Sequence, residues 1–213
     1  MQTHVWLLRH AESAIPALFH GAESDIGLSE YGHRQAAAVA QLLQACNPDA
    51  VISSQMRRAV STAQPIADAC GHLLETEFDL HERKIGTLSG TSNLNAEQGI
   101  WPDTLRAWIA GDTAYSPVGV ESFDQIQARV LPVWQQITTR HAGQSIVVVA
   151  HGIVIKVLLL SILPGWSVAD WSKIGRIANV SITELTGSGT SWNADKIGEV
   201  PAIVTALPYS HPS

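Results

Sequence analysis

The stretch SIVVVAHGIVIKVLLLSIL, residues 145–163, constrains the fold more than any other segment of the chain. It is long enough to span a bilayer, but His151, Gly152 and Lys156 interrupt it. The β-branched residues 146–149 favour a buried strand, His151 and Gly152 favour a turn, and the remainder favours a helix. A strand that turns directly into a helix is the unit from which α/β proteins with parallel sheets are built.

The same alternation runs along most of the chain. Strands are predicted at residues 4–9, 50–54, 72–78 and 146–150, and near 179–186 and 192–199. Helices are predicted within residues 28–46 with Ser29 as N-cap, 55–70 with a kink at Pro65, and 122–141. Strands that alternate with helices predict a three-layer α/β/α sandwich with a mostly parallel central sheet.

Residues 86–120 differ in composition, being rich in Gly, Ser, Thr, Asn and Pro. We interpret them as an insertion or lid with one short helix, not as a linker between domains, and call them the lid segment. Because 213 residues suffice for one α/β domain with a full core, we expect residues 1–213 to form a single domain. The tail from residue 207 is expected to fray.

The composition is that of a globular protein, with 46% hydrophobic and 15% charged residues and a mean hydropathy of +0.10. The net charge of −6 argues against nucleic acid as a partner, because nucleic-acid binding selects for a basic face. The net charge does not exclude a small anionic ligand, because the binding of such a ligand depends on the charges next to its site.

Cys46 and Cys70 are the two cysteines, and both fall in segments of helical pattern. We expect free, buried thiols rather than a disulfide, which suits a reducing compartment. The N-terminal MQTHVWLLRH has no basic region, and its apolar run is too short for a signal peptide. We therefore expect a cytoplasmic protein that does not bind a membrane.

Polar side chains follow three of the predicted strands at the point where each strand ends. Arg9 and His10 end the first strand, a Ser-Ser pair at 53–54 ends the second, and His151 follows a third. Each has an ordinary explanation when taken alone, such as a solvated strand end or a core histidine. Because ligands bind at the carboxyl ends of parallel strands, their shared position predicts a site at one edge of the sheet.

Five motifs follow one another between about residues 4 and 160: LLRHAES, ISSQMRRAVSTA, LHERKIGTLSG, GVESFDQIQARV and VVVAHGIVIKVLL. In this order they resemble the signatures of the histidine phosphatase superfamily, in the branch that includes cofactor-dependent phosphoglycerate mutase and its phosphatase relatives. The first motif has Ala11 where that family usually has glycine. The resemblance implies a phosphoglycerate mutase-like fold.

The resemblance also implies catalytic roles. His10 would be the nucleophile that attacks phosphorus to form a phosphohistidine, since neutral imidazole is plentiful at pH 7. Its other ring nitrogen must donate to a fixed acceptor, for which we expect a backbone carbonyl. Arg9, Arg58 and His151 would surround the phosphoryl oxygens, because phosphoryl transfer depends on positioning and charge stabilisation, and an arginine fork matches two oxygens.

The acid-bearing loop would supply the proton donor. Glu82 would protonate the leaving oxygen and then act as the base that activates water, so it must begin protonated. The resemblance places Ser13, Gly152 and Arg83 among the groups that bind phosphate or substrate.

Three further residues of the motifs are interpreted as structural. We expect Glu12 to bond neighbouring backbone or an arginine. Glu121 and Arg129 match family positions but are interpreted as supports outside the site.

Other site chemistries find no support in the sequence. It contains no Gly-rich P-loop, no HExxH pattern and no CxxC pair. Asp25, Asp49 and Asp79 are isolated from one another along the chain. We therefore expect metal-independent hydrolysis and no cofactor.

The chain departs from the phosphoglycerate mutases in several places. It has Pro16 and Ile153 where they have asparagine, and Arg106 stands alone where they have paired arginines. Arg83, which follows the acid Glu82, is the residue that still resembles the mutases. These departures favour a phosphatase that acts on a small phosphorylated metabolite, with a mutase as the alternative.

A non-catalytic phosphate-binding protein is a further alternative, although such a chain would normally have lost His10 or Glu82. Trp101, Trp108 and Tyr115 in the lid segment suggest a substrate with a non-polar or ring-bearing body, although aromatic residues in a lid more often serve only for packing. Sugar phosphates, phosphoglycerate-type acids and α-ribazole phosphate all stay open. A homodimer is a further candidate, because many relatives are dimers, but nothing in the sequence places its interface.

Overall fold

The structure is a computed structural model that describes residues 1–94 and 99–209. Six strands in this part of the chain form one sheet in the order β3-β2-β4-β1-β5-β6. They are β1 (Thr3–Arg9), β2 (Ala50–Ser54), β3 (Leu74–Glu77), β4 (Ser145–Ala150), β5 (Ile182–Ser188) and β6 (Ser191–Glu199). Strands β3, β2, β4 and β1 are mutually parallel, and β5 runs antiparallel to both β1 and β6. The predicted, mostly parallel sheet is confirmed.

Helices connect the parallel strands and cover the sheet. They are α1 (Glu30–Cys46), α2 (Arg57–Cys70), α3 (Ile100–Ile109), α4 (Phe123–Arg140), α5 (Gly152–Ile162) and the short α6 (Ala202–Thr205). Ser29 caps α1 as predicted, since its hydroxyl accepts the Gly32 amide hydrogen at 2.9 Å. Pro65 and Pro132 lie inside α2 and α4, and both helices continue past them.

The core lies on both faces of the sheet because alternate strand residues point in opposite directions. Val5 and Leu7 pack in a cluster with α4 and α5, whereas Leu8 packs with α1 and α2. All three side chains are at most 1% exposed. Full burial of such a side chain stabilises the fold by roughly 1.5–3 kcal/mol. The predicted three-layer sandwich is thus confirmed.

Several predicted boundaries differ from the structure. β3 is limited to Leu74–Glu77, because Gly71 ends α2 in a left-handed conformation and a 3₁₀ turn begins at Phe78. β5 begins at Ile182 instead of near residue 179, because a turn there gives Val180 a φ of 49°. The buried thiols predicted for the two cysteines are wrong in part, since both thiols are free but Cys46 is exposed and Cys70 is half-buried.

The lid segment contains the predicted short helix, α3. Trp108 is fully buried and packs against Phe123 and Trp171, with ring centroids 5.8 and 5.9 Å away. Trp108 therefore belongs to the core and not to a substrate surface. Residues 95–98 of the lid segment and residues 210–213 of the tail predicted to fray lie outside the described residues. No helix of residues 1–94 and 99–209 is long and apolar enough to cross a membrane.

Candidate active site

The strand register brings the predicted polar residues to one edge of the sheet. Arg9 pairs with Ala150 at the end of β1 and β4, and Ser53 of β2 pairs with Val149. His10 and His151 follow immediately, and their ring centroids are 5.1 Å apart. The edge predicted from the three strand ends is therefore formed.

A cavity of about 350 Å³ opens at this edge. Its walls come from the end of β1 and the loop after it, from α2, and from the acid-bearing loop and the lid segment. The start of α5 and the connection before β5 complete them. The polar residues that line it are Arg9, His10, Glu12, Ser13, His20, Arg58, Glu82, Arg83, Asn93, Arg176 and Asn179.

His10 is held by its own backbone. Its Nδ1 atom lies 2.7 Å from the carbonyl oxygen of Ala11, which can only accept, so Nδ1 carries the proton and Nε2 is bare. Burial lowers the pKa of His10 well below its usual range, and the charges of Arg9 and Arg58 lower it further. The imidazole is 5% exposed and neutral at pH 7, as a nucleophile requires.

His151 lies beside the His10 ring, with the ring centroids 5.1 Å apart. Its Nε2 atom lies 2.9 Å from the hydroxyl oxygen of Ser54, which also accepts the Met56 amide hydrogen at 3.3 Å. The Ser54 hydroxyl can donate its hydrogen to Nε2, and in that tautomer the ring proton is on Nδ1. That Nδ1 is buried and has no hydrogen-bond partner within the described residues. Burial, followed by the charge of Arg58, lowers the pKa of His151 well below its usual range.

Arg58 and Arg9 are anchored by carbonyl oxygens. Arg58 is fully buried and donates to the carbonyls of Ser24 at 2.8 Å and Gly21 at 3.3 Å. Arg9 donates to the carbonyl of Ile177 at 2.8 Å. The Nε atoms of both arginines are buried without an acceptor in the described part of the chain. Burial lowers the pKa of Arg9 to about 10, so its guanidinium stays charged at neutral pH.

Glu82 enters the same cavity from the acid-bearing loop. It is 9% exposed, and its Oε1 atom accepts the Arg83 amide hydrogen at 2.9 Å. Its carboxyl group faces the positive field of Arg9 and Arg58. A carboxyl group and a bare imidazole nitrogen thus share one small, largely buried cavity.

Arg83 packs between two tryptophan rings. Its guanidinium carbon lies 4.6 Å from the ring centroid of Trp101 and 4.9 Å from that of Trp108. Its Nε atom donates to the carbonyl of Glu121 at 3.1 Å, whereas one Nη atom is buried with no partner among the described residues. Burial lowers the pKa of Arg83 to about 10. Arg83 is therefore a charged donor with spare hydrogen-bonding capacity on the cavity wall.

Glu121 and Arg129 hold the loop that carries Glu82. Arg129 donates to both carboxylate oxygens of Glu121, at 2.8 and 3.0 Å, and to the carbonyls of Asp79 and His81, at 2.6 and 2.9 Å. Both side chains contact the loop backbone from outside the cavity, as the supporting role predicted for them requires.

The remaining motif residues lie partly in the cavity wall and partly outside it. Ser13 lines the cavity, whereas Gly152 lines an adjoining one and packs against the Arg9 guanidinium. Glu12 also lines the cavity, but its carboxylate accepts the Ser29 hydroxyl hydrogen at 2.7 Å. This bond goes to a side-chain hydroxyl at the cap of α1, not to the neighbouring backbone or arginine that was expected for Glu12. The methyl group of Ala11 is fully buried in the core, so the glycine-to-alanine change is accommodated.

Four polar residues that line the cavity were not predicted from the sequence: His20, Asn93, Arg176 and Asn179. Asn179 donates to the His10 carbonyl at 2.9 Å. It and Arg176 precede β5, whose antiparallel pairing with β1 brings its starting end to the catalytic edge. Polar residues before a final antiparallel strand were the available signal. Within the described residues, no three His, Cys, Asp or Glu side chains are grouped so that they could hold a metal ion.

Comparison with known proteins agrees with this geometry. A family model described as the histidine phosphatase superfamily (branch 1) matches residues 5–200. A metal-independent phosphoserine phosphatase of Arabidopsis thaliana is 32% identical over 206 residues, which cover 93% of this chain and 82% of that protein. A glucosyl-3-phosphoglycerate phosphatase of Mycolicibacterium vanbaalenii is 30% identical over 189 residues, which cover 85% of this chain and 83% of that protein.

A solved structure shows the same architecture. The native mycobacterial glucosyl-3-phosphoglycerate phosphatase superposes with a TM-score of 0.78 at 26% identity, and the match covers 94% of this chain and 100% of that one. The family match and the two named phosphatases, together with this site, place the chain in the phosphatase class of enzymes. The chain belongs to branch 1 of the histidine phosphatase superfamily, as its motifs predicted.

Proposed function

We propose that this enzyme hydrolyses the phosphomonoester of a small metabolite through a phosphohistidine on His10, without a metal ion. The Nε2 atom of His10 attacks phosphorus while the ester P–O bond breaks, and Glu82 gives its proton to the leaving oxygen. Water then attacks the phosphohistidine, Glu82 takes its proton, and the P–N bond breaks to release phosphate.

The observation that carries this proposal is a set of buried donors with no acceptor in the described part of the chain. They are Nε of Arg9, Nε of Arg58, one Nη of Arg83 and Nδ1 of His151. A buried donor left unpaired costs about 1–3 kcal/mol, and more when it is charged. A phosphoryl group offers three oxygens with negative charge, so its binding between these donors and the bare Nε2 of His10 would offset that cost.

The relatives support hydrolysis over other phosphoryl chemistry. Two of them are named phosphatases, one of them as metal-independent and the other as acting on a phosphoglycerate derivative. Substrates of this kind are small phosphorylated metabolites, which the cavity of about 350 Å³ is large enough to admit.

The test is phosphate release from p-nitrophenyl phosphate and a panel of phosphomonoesters in the presence of EDTA, beside a His10→Ala control. Turnover that survives EDTA and disappears in the control is the expected result. Net transfer that needs a bisphosphate primer would replace hydrolysis with the mutase reaction. Binding of vanadate without any turnover would leave only a phosphate-binding protein.

Quenching in alkaline detergent adds a direct readout of the intermediate. Rapid mixing with a ³²P-labelled substrate should trap protein-bound label that is stable to alkali and lost in acid, as expected of a phosphohistidine. Alkali-labile label would place the phosphoryl group on another residue. The cytoplasmic location and the homodimer stay predictions; light scattering that finds a monomer at working concentration would end the latter.

A further inference from the structure

A second cavity, of about 430 Å³, adjoins the one that contains His10. The two share a wall formed by Arg9, Glu82, Trp101, Ile153 and Arg176. The second cavity continues past Ile153 to Lys156 and Trp171. A substrate whose phosphoryl group reaches His10 can therefore extend the rest of its body over this wall.

Two cations face this extension without an acidic partner. The Arg176 guanidinium is exposed and forms no hydrogen bond and no ion pair within the described residues. Lys156, on α5, is half-buried, and its Nζ atom lies 4.8 Å from the ring centroid of Trp171. Burial lowers the pKa of Lys156, and no acidic side chain of residues 1–94 and 99–209 forms an ion pair with it.

Neighbouring charges differ from this pair. Lys173, in the same connection before β5, forms an ion pair with Asp170. In the lid segment, Arg106 forms an ion pair with Asp103. Among the described residues, Glu82 is the one acidic residue that lines the second cavity, and the proposed mechanism requires it to be protonated when substrate binds. Arg176 and Lys156 thus form a positive patch beside the catalytic cavity.

We propose that Arg176, assisted by Lys156, binds a second anionic group of the substrate, remote from the phosphoryl group that is cleaved. This inference rests on the proposed function and narrows its substrate class to phosphomonoesters that carry a carboxylate or a second phosphate. Trp101, which lines both cavities, packs against the carbon skeleton between the two anionic groups. Arg176 is a specificity-determining residue in this scheme and takes no part in the bond-breaking steps.

The test compares matched substrates that differ in the remote group. The pairs are 3-phosphoglycerate with glycerol 3-phosphate for a carboxylate, and fructose 1,6-bisphosphate with fructose 6-phosphate for a phosphate. The wild-type enzyme should prefer, in one of the two pairs, the member that carries the remote anionic group. Arg176→Gln should lower kcat/KM for that member about tenfold, mainly through KM, since a charge-assisted hydrogen bond is lost. Its effect on the member that lacks the remote anionic group should stay within twofold.

Two further variants sharpen the result. Lys156→Gln should reduce the same preference by a smaller factor, about threefold, because Lys156 lies further from His10 along the cavity. Arg106→Gln removes a cation that is 73% exposed and already paired with Asp103, so kcat/KM should stay unchanged for both members of each pair. Unchanged melting temperatures would show that the three variants are folded.

The outcomes separate this inference from the proposed function. If Arg176→Gln lowers kcat/KM equally for both members of each pair, or for neither, the second anionic subsite is wrong although His10-dependent hydrolysis stands. If the wild-type enzyme releases phosphate from no ester, the proposed function itself fails. The identity of the preferred pair distinguishes a carboxylate from a second phosphate.

Discussion

The Nδ1 atom of His10 lies 2.7 Å from the carbonyl oxygen of Ala11, the residue that follows it in the chain. This contact uses backbone rather than a carboxylate to orient the nucleophile. A carbonyl adds no full negative charge, so it fixes the tautomer without holding a proton on both nitrogens. Together with burial and two adjacent arginines, it keeps the imidazole neutral and its Nε2 lone pair available.

The first prediction concerns the protonation state of His10. In ¹⁵N-labelled protein, the His10 ring should show the tautomer protonated on Nδ1 and should remain neutral as the pH falls through 6.5. Burial and the charges of Arg9 and Arg58 are the physical cause. The measurement is a long-range ¹H–¹⁵N correlation spectrum with His10→Gln used for assignment. Proton occupancy on Nε2, or a midpoint near the ordinary histidine value of about 6.5, would contradict it.

The second prediction is the pH dependence of stability. The pKa values of His10 and His151 are lowered in the folded state, so below pH 6.5 the unfolded chain binds protons that the folded chain does not. The free energy of unfolding should therefore fall as the pH falls below about 6.5, by up to about 1.4 kcal/mol per pH unit for each histidine. Above that pH the two residues contribute no pH dependence.

Urea unfolding at several pH values between 5 and 7 measures this slope. His10→Gln should make the slope shallower, because one of the two uncharged, buried imidazoles is gone. His33→Gln, which changes an exposed histidine of α1, is the matched control and should leave the slope unchanged. An equal slope in the wild type and His10→Gln would show that His10 does not carry the effect.

The third prediction concerns the geometry of Arg58. Arg58→Lys should lower kcat/KM by about 10²-fold or more, because an ammonium cannot bond the carbonyls of Ser24 and Gly21 and also present a second nitrogen to the phosphoryl oxygens. Steady-state kinetics with p-nitrophenyl phosphate measures the loss. Arg57→Lys alters an exposed neighbour on the same turn and should retain activity. Comparable activity in both variants would remove Arg58 from the catalytic set.

The fourth prediction separates the two roles of Glu82. In Glu82→Gln, an alkyl phosphate should lose at least about 10²-fold in rate, because its poor leaving group needs the proton. The first step with p-nitrophenyl phosphate should survive, since p-nitrophenolate leaves without protonation. Water activation is still lost, so rapid mixing should show a burst of one p-nitrophenolate per site followed by slow turnover. An equal loss of activity toward both substrates, without a burst, would contradict these two roles of Glu82. Glu30→Gln, at an exposed position, is the control and should retain activity.

How far the sequence predicts this site depends on where each residue lies along the chain. Arg9, His10 and His151 end parallel strands, and parallel strands have a common edge, so their convergence follows from local pattern alone. The carbonyl partner of His10 was expected from tautomer chemistry, and the adjacent residue supplies it. These features need only short-range information.

The missed features depend on long-range packing. Arg176 and Asn179 reach the site because β5 pairs antiparallel with β1. No local sequence pattern predicts the direction of that strand. The sequence left open whether Trp108 faces a substrate or packs inside the protein; it is buried against Phe123 and Trp171, which lie outside the lid segment. The exposed position of Cys46 likewise depends on which face of α1 meets the sheet.

The last prediction tests the support behind the acid. Arg129 and Glu121 form an ion pair in which each side chain is only 12% exposed, and Arg129 also bonds two carbonyls of the loop before Glu82. Burial alone would raise the pKa of Glu121, but the hydrogen bond and charge of Arg129 lower it. Arg129→Met leaves that carboxylate unpaired, so the free energy of unfolding should fall by about 3–5 kcal/mol.

The double variant Glu121→Gln/Arg129→Met should recover part of this loss, because no charge is left uncompensated. Hydrolysis of alkyl phosphates should stay impaired in it, since the Glu82 loop has lost its anchor. Arg140→Met is the matched control: Arg140 is 44% exposed in its ion pairs with Glu75 and Glu77, so its loss should cost under about 1 kcal/mol. If urea unfolding finds equal losses in Arg129→Met and Arg140→Met, the pair is an ordinary surface contact and something else holds the acid in place.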